Sequence, residues 1–229
     1  MPRREYTINH DAFGLIRTEA QAYWLGFLAA DGSIDPERGS IRVELQARDR
    51  GHLDKLAVFL GSDIEPRQVG GRDTWHLTVY SKEMAGWLAT LGLAAGKVST
   101  FSPPALIPSV RRHFWRGMMD GDGSIFRRPP LKSGGASWGV NLTGTEATVN
   151  AFAEWCEMAT GRRPSVRRAR ERVIGSGHVC VAAALGSHKP LAIIRELYTG
   201  AGVFLTRKMN RAAEAMQTEP TNADLHPIR

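Results

Sequence analysis

The chain has 229 residues, 42% of them hydrophobic, with two cysteines and a formal charge of +7. That length and apolar content can bury a core as one large domain or two small ones. Cys156 and Cys180, without paired spacing or a histidine cluster, argue against a disulfide framework or a zinc site, and an arginine-rich basic excess points to a polyanionic partner. The start, Met1-Pro2-Arg3-Arg4-Glu5, lacks an apolar signal region and no run reaches membrane-spanning length, so a soluble cytoplasmic protein, bacterial, phage-encoded or organellar, is expected.

In chain order, Thr18 with Gln21 three positions on is a capping box that predicts a helix. The helix runs through Trp24-Leu25-Gly26-Phe27-Leu28-Ala29-Ala30 to Asp31-Gly32, where the glycine is expected in a left-handed C-terminal conformation. Alternation over 41–46 predicts a strand, 49–60 closed by Gly61 an amphipathic helix, and 75–80 a second strand. Prolines at 103, 104 and 108 break regular structure and mark a linker over 99–108. Ser109 is a candidate cap for a helix through Trp115-Arg116-Gly117-Met118-Met119-Asp120-Gly121 to Asp122-Gly123. A strand over 140–143, a helix over 145–160 closed by Gly161, and a strand over 179–185 follow. Matching Val43 to Val140 and Leu45 to Leu142 makes the first hairpin of the second half longer by about six residues, since strand alternation sets the match. The expected organisation is a half-domain over 1–98, the linker, a half-domain over 109–217 and a frayed tail over 218–229. His10, His52, His113 and His226 show no partners and read as surface or capping residues, and the six tryptophans read as core.

The two motif segments are near-copies, each ending in Asp-Gly-Ser-Ile, and they place Asp31 and Asp122 at equivalent points of a pseudo-twofold pair. Gly26 with Ala30, and Gly117 with Gly121, lie four apart on one helix face. Small residues there let two helix backbones approach closely, a packing gain that offsets the helix cost of glycine. Two carboxylates brought together need a neutraliser, for which divalent cations are the best candidates.

These repeated segments resemble the LAGLIDADG homing endonucleases in their single-chain, two-motif form, and the resemblance spans nearly the whole chain. It implies an α+β fold of two α-β-β-α-β-β-α half-domains, with saddle-shaped antiparallel sheets packed around a central pair of motif helices. It also implies a monomeric hydrolase of intron homing that makes a staggered double-strand break with short 3′ overhangs in a long DNA target. Asp31 and Asp122 would hold Mg²⁺, or another divalent cation such as Mn²⁺, with the carbonyls of Ala30 and Gly121. Lys97 and Lys208 match the family's basic catalytic positions, Lys208 being preferred to Arg207, and Gln46 is a further candidate for positioning water. Asp120 occupies an earlier acidic position that is Ala29 in the first copy and reads as supporting. Arg116 stands where a small or apolar residue is usual and is expected to point to solvent or an acidic neighbour. With Met1 in place of a nucleophilic Cys or Ser and no His-Asn terminus, a free-standing enzyme is expected rather than an intein.

Polar strand positions are the candidate DNA readers: Arg42, Glu44, Gln46, Arg67, Arg72, Thr74, His76, Thr78 and Tyr80 in the first half, Asn141 and Thr143 in the second. Arg168, Arg170 and Arg172, spaced two apart, are expected on one strand face. Arg127, Arg128 and Lys132 form a basic hairpin arm. A solvated outer face is the plain alternative for any one of these. The remaining function classes are an RNA maturase or a non-cleaving DNA-binding regulator on the same scaffold.

Overall fold

The computed structural model describes residues 6–93, 101–130, 136–174 and 177–218, the side chains of 169–178 excepted. Lys97, Lys132 and residues 219–229 of the expected tail lie outside the described residues, as do the side chains of Arg170 and Arg172. Two compact units divide the chain: residues 1–97 with 104–117, and residues 98–103 with 118–229.

In the first unit the capping box forms as read: Gln21 N–H donates to Thr18 Oγ1 at 3.3 Å and Thr18 N–H to Gln21 Oε1 at 3.1 Å. It opens α1 (Glu19–Asp31), buried from Ala22 to Ala29. α1 passes directly into β1 (Gly32–Asp35). Gly32 is extended, with φ −83° and ψ 147°, and so not left-handed as the sequence suggested. Its glycine is required for space: a Cβ there would stand 2.6 Å from the Leu28 carbonyl oxygen and 2.9 Å from Leu28 Cδ2.

β2 (Ser40–Gln46), α2 (Arg50–Phe59), β3 (Arg67–Gln68), β4 (Thr74–Tyr80) and α3 (Lys82–Thr90) follow. Gly61, with φ 59°, takes the left-handed conformation beyond α2. The sheet is antiparallel in the order β1-β2-β4-β3. Ile34, Ile41, Val43, Leu45, Leu77 and Val79 alternate onto its buried face, against Trp24, Phe27, Leu53 and Leu56. His52 belongs to this core: Tyr23 Oη lies 2.9 Å from its Nε2, and its ring centre is 4.7 Å from those of both Trp24 and Phe27. That corrects the surface reading, and the partner 29 positions away in sequence explains why no local signal marked it.

α4 (Pro108–Asp122) begins on proline, whose missing N–H is harmless at a first helical position, so Ser109 sits inside the helix and is not its cap. The division between the units falls within this helix, after Gly117.

In the second unit α4 passes directly into β5 (Gly123–Arg128), again with a glycine whose Cβ would meet the Met119 carbonyl oxygen at 2.6 Å. β6 (Ser137–Gly144), α5 (Glu146–Thr160), β7 (Ser165–Ile174), β8 (Gly177–Gly186), α6 (His188–Tyr198) and α7 (Thr206–Met216) complete it. Thr145 caps α5 by accepting from Thr148 N–H, and Gly161 closes it at φ 67°. The sheet order is β5-β6-β8-β7, antiparallel throughout. Val140, Leu142, Ala182 and Ala184 form its buried face with Phe152, Ile193, Ile194 and Leu197. Cys156 and Cys180 are buried free thiols, and burial pushes both pKa values upward.

The registers fix the internal repeat. Gly32 pairs with Val43 and Gly123 with Leu142, so Val43 corresponds to Leu142 and the second hairpin is longer by eight residues, not six. A two-residue slip keeps every side chain on its expected face. Among the described residues no helix is long and apolar enough to cross a membrane.

Candidate functional site

Each motif helix delivers an exposed aspartate at its last residue, immediately before the first strand of a sheet: Asp31 ahead of β1 and Asp122 ahead of β5. A carboxylate at the negative end of a helix dipole is favoured by a neighbouring cation. Ala30 and Gly121, beside the two acids, are partly exposed. Among the described residues no cluster of three or more His, Cys, Asp or Glu side chains forms a closed metal cage. Carboxylate and backbone carbonyl oxygens with open solvent are the donor set that suits Mg²⁺, which keeps several waters, and so the residues present fit such an ion.

In the second unit Lys208, on the first turn of α7, is buried, and its Nζ donates to the carbonyl oxygens of Met119, at 3.2 Å, and Gly123. The ammonium therefore sits at the C-terminal turn of α4, beside the residue that carries the candidate ligand. Arg207, its neighbour, is exposed. Asp120 is fully buried and does not point to solvent with Asp122: it accepts from Tyr198 Oη at 2.6 Å and from Leu205 N–H at 2.6 Å. Leu205 is the N-cap of α7. Asp120 thus supplies the acceptor that the start of α7 lacks, and anchors the helix that carries Lys208.

In the first unit Arg116 is also fully buried and reaches the acidic neighbour Glu19 on α1 at 2.5 Å, with its guanidinium 5.5 Å from the centre of the Tyr23 ring. His113 lies beside this pair, its Nδ1 3.7 Å from Glu19. Burial, then the Arg116 charge, lower its pKa. Gly117, one residue on, faces α1 so closely that a Cβ would stand 2.7 Å from Phe27 N and collide with the Tyr23 carbonyl oxygen. Gly26 is buried within α1.

The first sheet turns a polar face outward. Across the strands, Ser33 lies opposite Arg42 and Thr78, Glu44 opposite His76 and Arg67, and Gln46 opposite Thr74. Arg42 donates to Glu44 at 2.9 Å, and this bond holds the Glu44 carboxyl below its usual range. Burial, then the Arg42 charge, lower the pKa of His76, whose Nδ1 lies 3.1 Å from Thr78 Oγ1. A neutral imidazole presents both a donor and an acceptor. Arg72 is exposed in the turn before β4. Tyr6, Asp63 and Glu65, which carried no sequence signal, line a cleft of about 550 Å³ with Arg42, Arg67 and His76. Tyr6 is tied to the end of β4 by its hydroxyl, which donates to the Tyr80 carbonyl at 3.1 Å.

The second sheet departs from the sequence expectation in two places. Arg168 pairs with Cys180 on the helix-covered side of the sheet and is drawn to Glu146 at 3.4 Å. The register shift between Arg168 and Val173 breaks the alternation on which a row of Arg168, Arg170 and Arg172 depends. Arg167, unmarked in the sequence reading, pairs with Val181 on the outer face, as Arg67 pairs with His76 in the first sheet. Arg127 likewise falls opposite buried Trp138 and lies 3.9 Å from Glu214 of α7, whereas Arg128 shares the outer face with Ser124 and Asn141. Thr143 is on that face, opposite Val181.

Helix, hairpin, helix and hairpin, repeated with a carboxylate at each helix–strand junction, define a duplicated α+β protein. It shares its fold with the LAGLIDADG homing endonucleases. Similar solved structures include the I-LtrWI LAGLIDADG homing endonuclease bound to target DNA, at TM-score 0.56 and 11% identity over 90% of this chain and 89% of that one. I-GzeII in complex with a DNA target matches at TM-score 0.58 and 9% identity over 91% and 89%. Full-length DUF199/WhiA from Thermatoga maritima matches at TM-score 0.51 and 13% identity, over 93% of this chain and 67% of that one. No protein-family model and no curated sequence matches the chain.

Proposed function

We propose that the protein is a site-specific DNA endonuclease that hydrolyses one phosphodiester in each strand with Mg²⁺ or Mn²⁺, leaving short 3′ overhangs. The observation that carries this reading is the exposed carboxylate at the C-terminus of both motif helices, each at the head of a four-stranded sheet with an exposed outer face. The I-LtrWI and I-GzeII structures hold DNA on the same fold. Asp31 and Asp122, with the carbonyls of Ala30 and Gly121, would hold the ions, which when bound supply an activated water and charge neutralisation at the phosphoryl group. Lys208, bonded to the Met119 and Gly123 carbonyls that flank Asp122, is the proposed basic catalytic residue of the second half, Lys97 its proposed counterpart, and Gln46 a candidate to orient water. Outward strand residues hold and read the duplex, with Arg42, Arg67, Arg128 and Arg167 as candidates for phosphate or guanine contacts.

The other reading of the same scaffold is a DNA-binding regulator that does not cut. The full chain incubated with Mg²⁺ and a plasmid library of randomised inserts separates the two. We expect linear products with a common sequence at the break. Asp31→Asn and Asp122→Asn each abolish double-strand cutting and leave affinity within about threefold, because little of the phosphate-contacting surface changes. Enriched binding without cleavage establishes the regulator, and tighter binding to structured RNA than to duplex DNA establishes the maturase.

A further inference from the structure

The two outer sheet faces are built on one register and differ in chemistry. With Val43 matched to Leu142 and Leu77 to Ala182, Arg42 corresponds to Asn141, Glu44 to Thr143 and Arg67 to Arg167. On the central strand, His76, Thr78 and Tyr80 of β4 correspond to Val181, Ala183 and Leu185 of β8. Every hydrogen-bonding side chain of the first set is replaced by an aliphatic one. Leu185 is half exposed, Val181 and Ala183 partly so. Phe126 extends the strip: a Cβ on Gly139 would stand 2.5 Å from the Phe126 Cε2, so the ring lies across β6 toward Leu185. Arg128 and Arg167 flank the strip, and among the described residues that face carries no carboxylate.

A basic rim around an aliphatic centre suits a polyanion that offers apolar groups between its charges. In the DNA major groove, the apolar group on a base-pair edge is the thymine C5-methyl. We infer that Val181, Ala183 and Leu185 read thymine methyls, so that the second unit selects a thymine-bearing half-site by van der Waals contact while the first selects its half-site by hydrogen bonds. This rests on the DNA endonuclease reading and adds the base chemistry of one half of its target.

The test uses the wild-type chain without metal and a duplex selected from a randomised library. Each thymine is then replaced singly by deoxyuridine, which removes the methyl and keeps the base pair. Loss of one buried methyl corresponds to about fourfold in affinity, and we expect that loss at two or three positions on one side of the cleavage point and none on the other. 5-Methylcytosine at a sensitive position, paired with guanine, should bind more tightly than cytosine there. Val181→Ser and Ala183→Ser, both at surface positions, should erase the sensitivity at the positions that they contact. Equal deoxyuridine effects on both sides, or none on either, overturn the inference while the endonuclease reading stands. A library that yields no enriched duplex overturns both.

Discussion

Asp120 illustrates how one residue type serves two purposes two positions apart. Asp122 is exposed, whereas Asp120 is sealed between the Tyr198 hydroxyl and the Leu205 N–H. Asparagine at 120 keeps one acceptor and turns the other toward a donor, so one buried N–H or O–H loses its partner, at about 1–3 kcal/mol. Urea unfolding of Asp120→Asn should register that loss, and cleavage of one strand should slow more than that of the other because α7 carries Lys208. An unchanged unfolding midpoint would show that the two bonds do not hold α7. None of this was available from the sequence, where the partners lie 78 and 85 positions away. Of the two directions open to Arg116 in the sequence, solvent or an acidic neighbour, the structure has the second, and its complete burial follows from Glu19 and Tyr23, 97 and 93 positions back, which periodicity does not connect.

At the scale of elements, local chemistry was the readable part. The Thr18–Gln21 box and the closing glycines at 61 and 161 act through neighbours within a turn, and each stands where the sequence put it. Strand alternation gave faces but not registers, which is why the hairpin extension came out at six residues and not eight, and why the pairing of Arg168 with buried Cys180 was not foreseen. Gly32 and Gly123 were noticed for conformation and are needed for room. The same steric argument makes Gly117 a sensitive position in α4. Even Gly117→Ala must move the α1 backbone, at about 1–3 kcal/mol by the cost of overpacking, whereas alanine at an open helical glycine gains up to about 1 kcal/mol. Gly86 of α3, with nothing within 4 Å of its would-be Cβ, is the matched control. Thermal melts of Gly117→Ala and Gly86→Ala should shift in opposite directions, and a Gly117→Ala protein as stable as wild type would remove the close contact.

For the whole molecule, the proposed DNA binding, resting on a formal charge of +7 and arginines on both outer sheet faces, predicts an affinity that depends on displaced counterions. With about 6–10 phosphates neutralised, log K plotted against log salt falls with a slope of about −5 to −9. Titration at several salt concentrations measures it, and a slope near zero would rule out a phosphate-tracking surface. Division of the chain within α4 has a consequence for inheritance. A crossover in the proline-rich segment between two related genes would exchange one set of sheet residues for another, yet it would also deliver an α4 carrying Arg116 and Gly117 to an α1 that had not evolved with them. New pairings of the two sheets are therefore open only to lineages in which Glu19, Tyr23 and Phe27 still match the incoming helix, so the contact that gives α1 its fit also decides which recombinants survive.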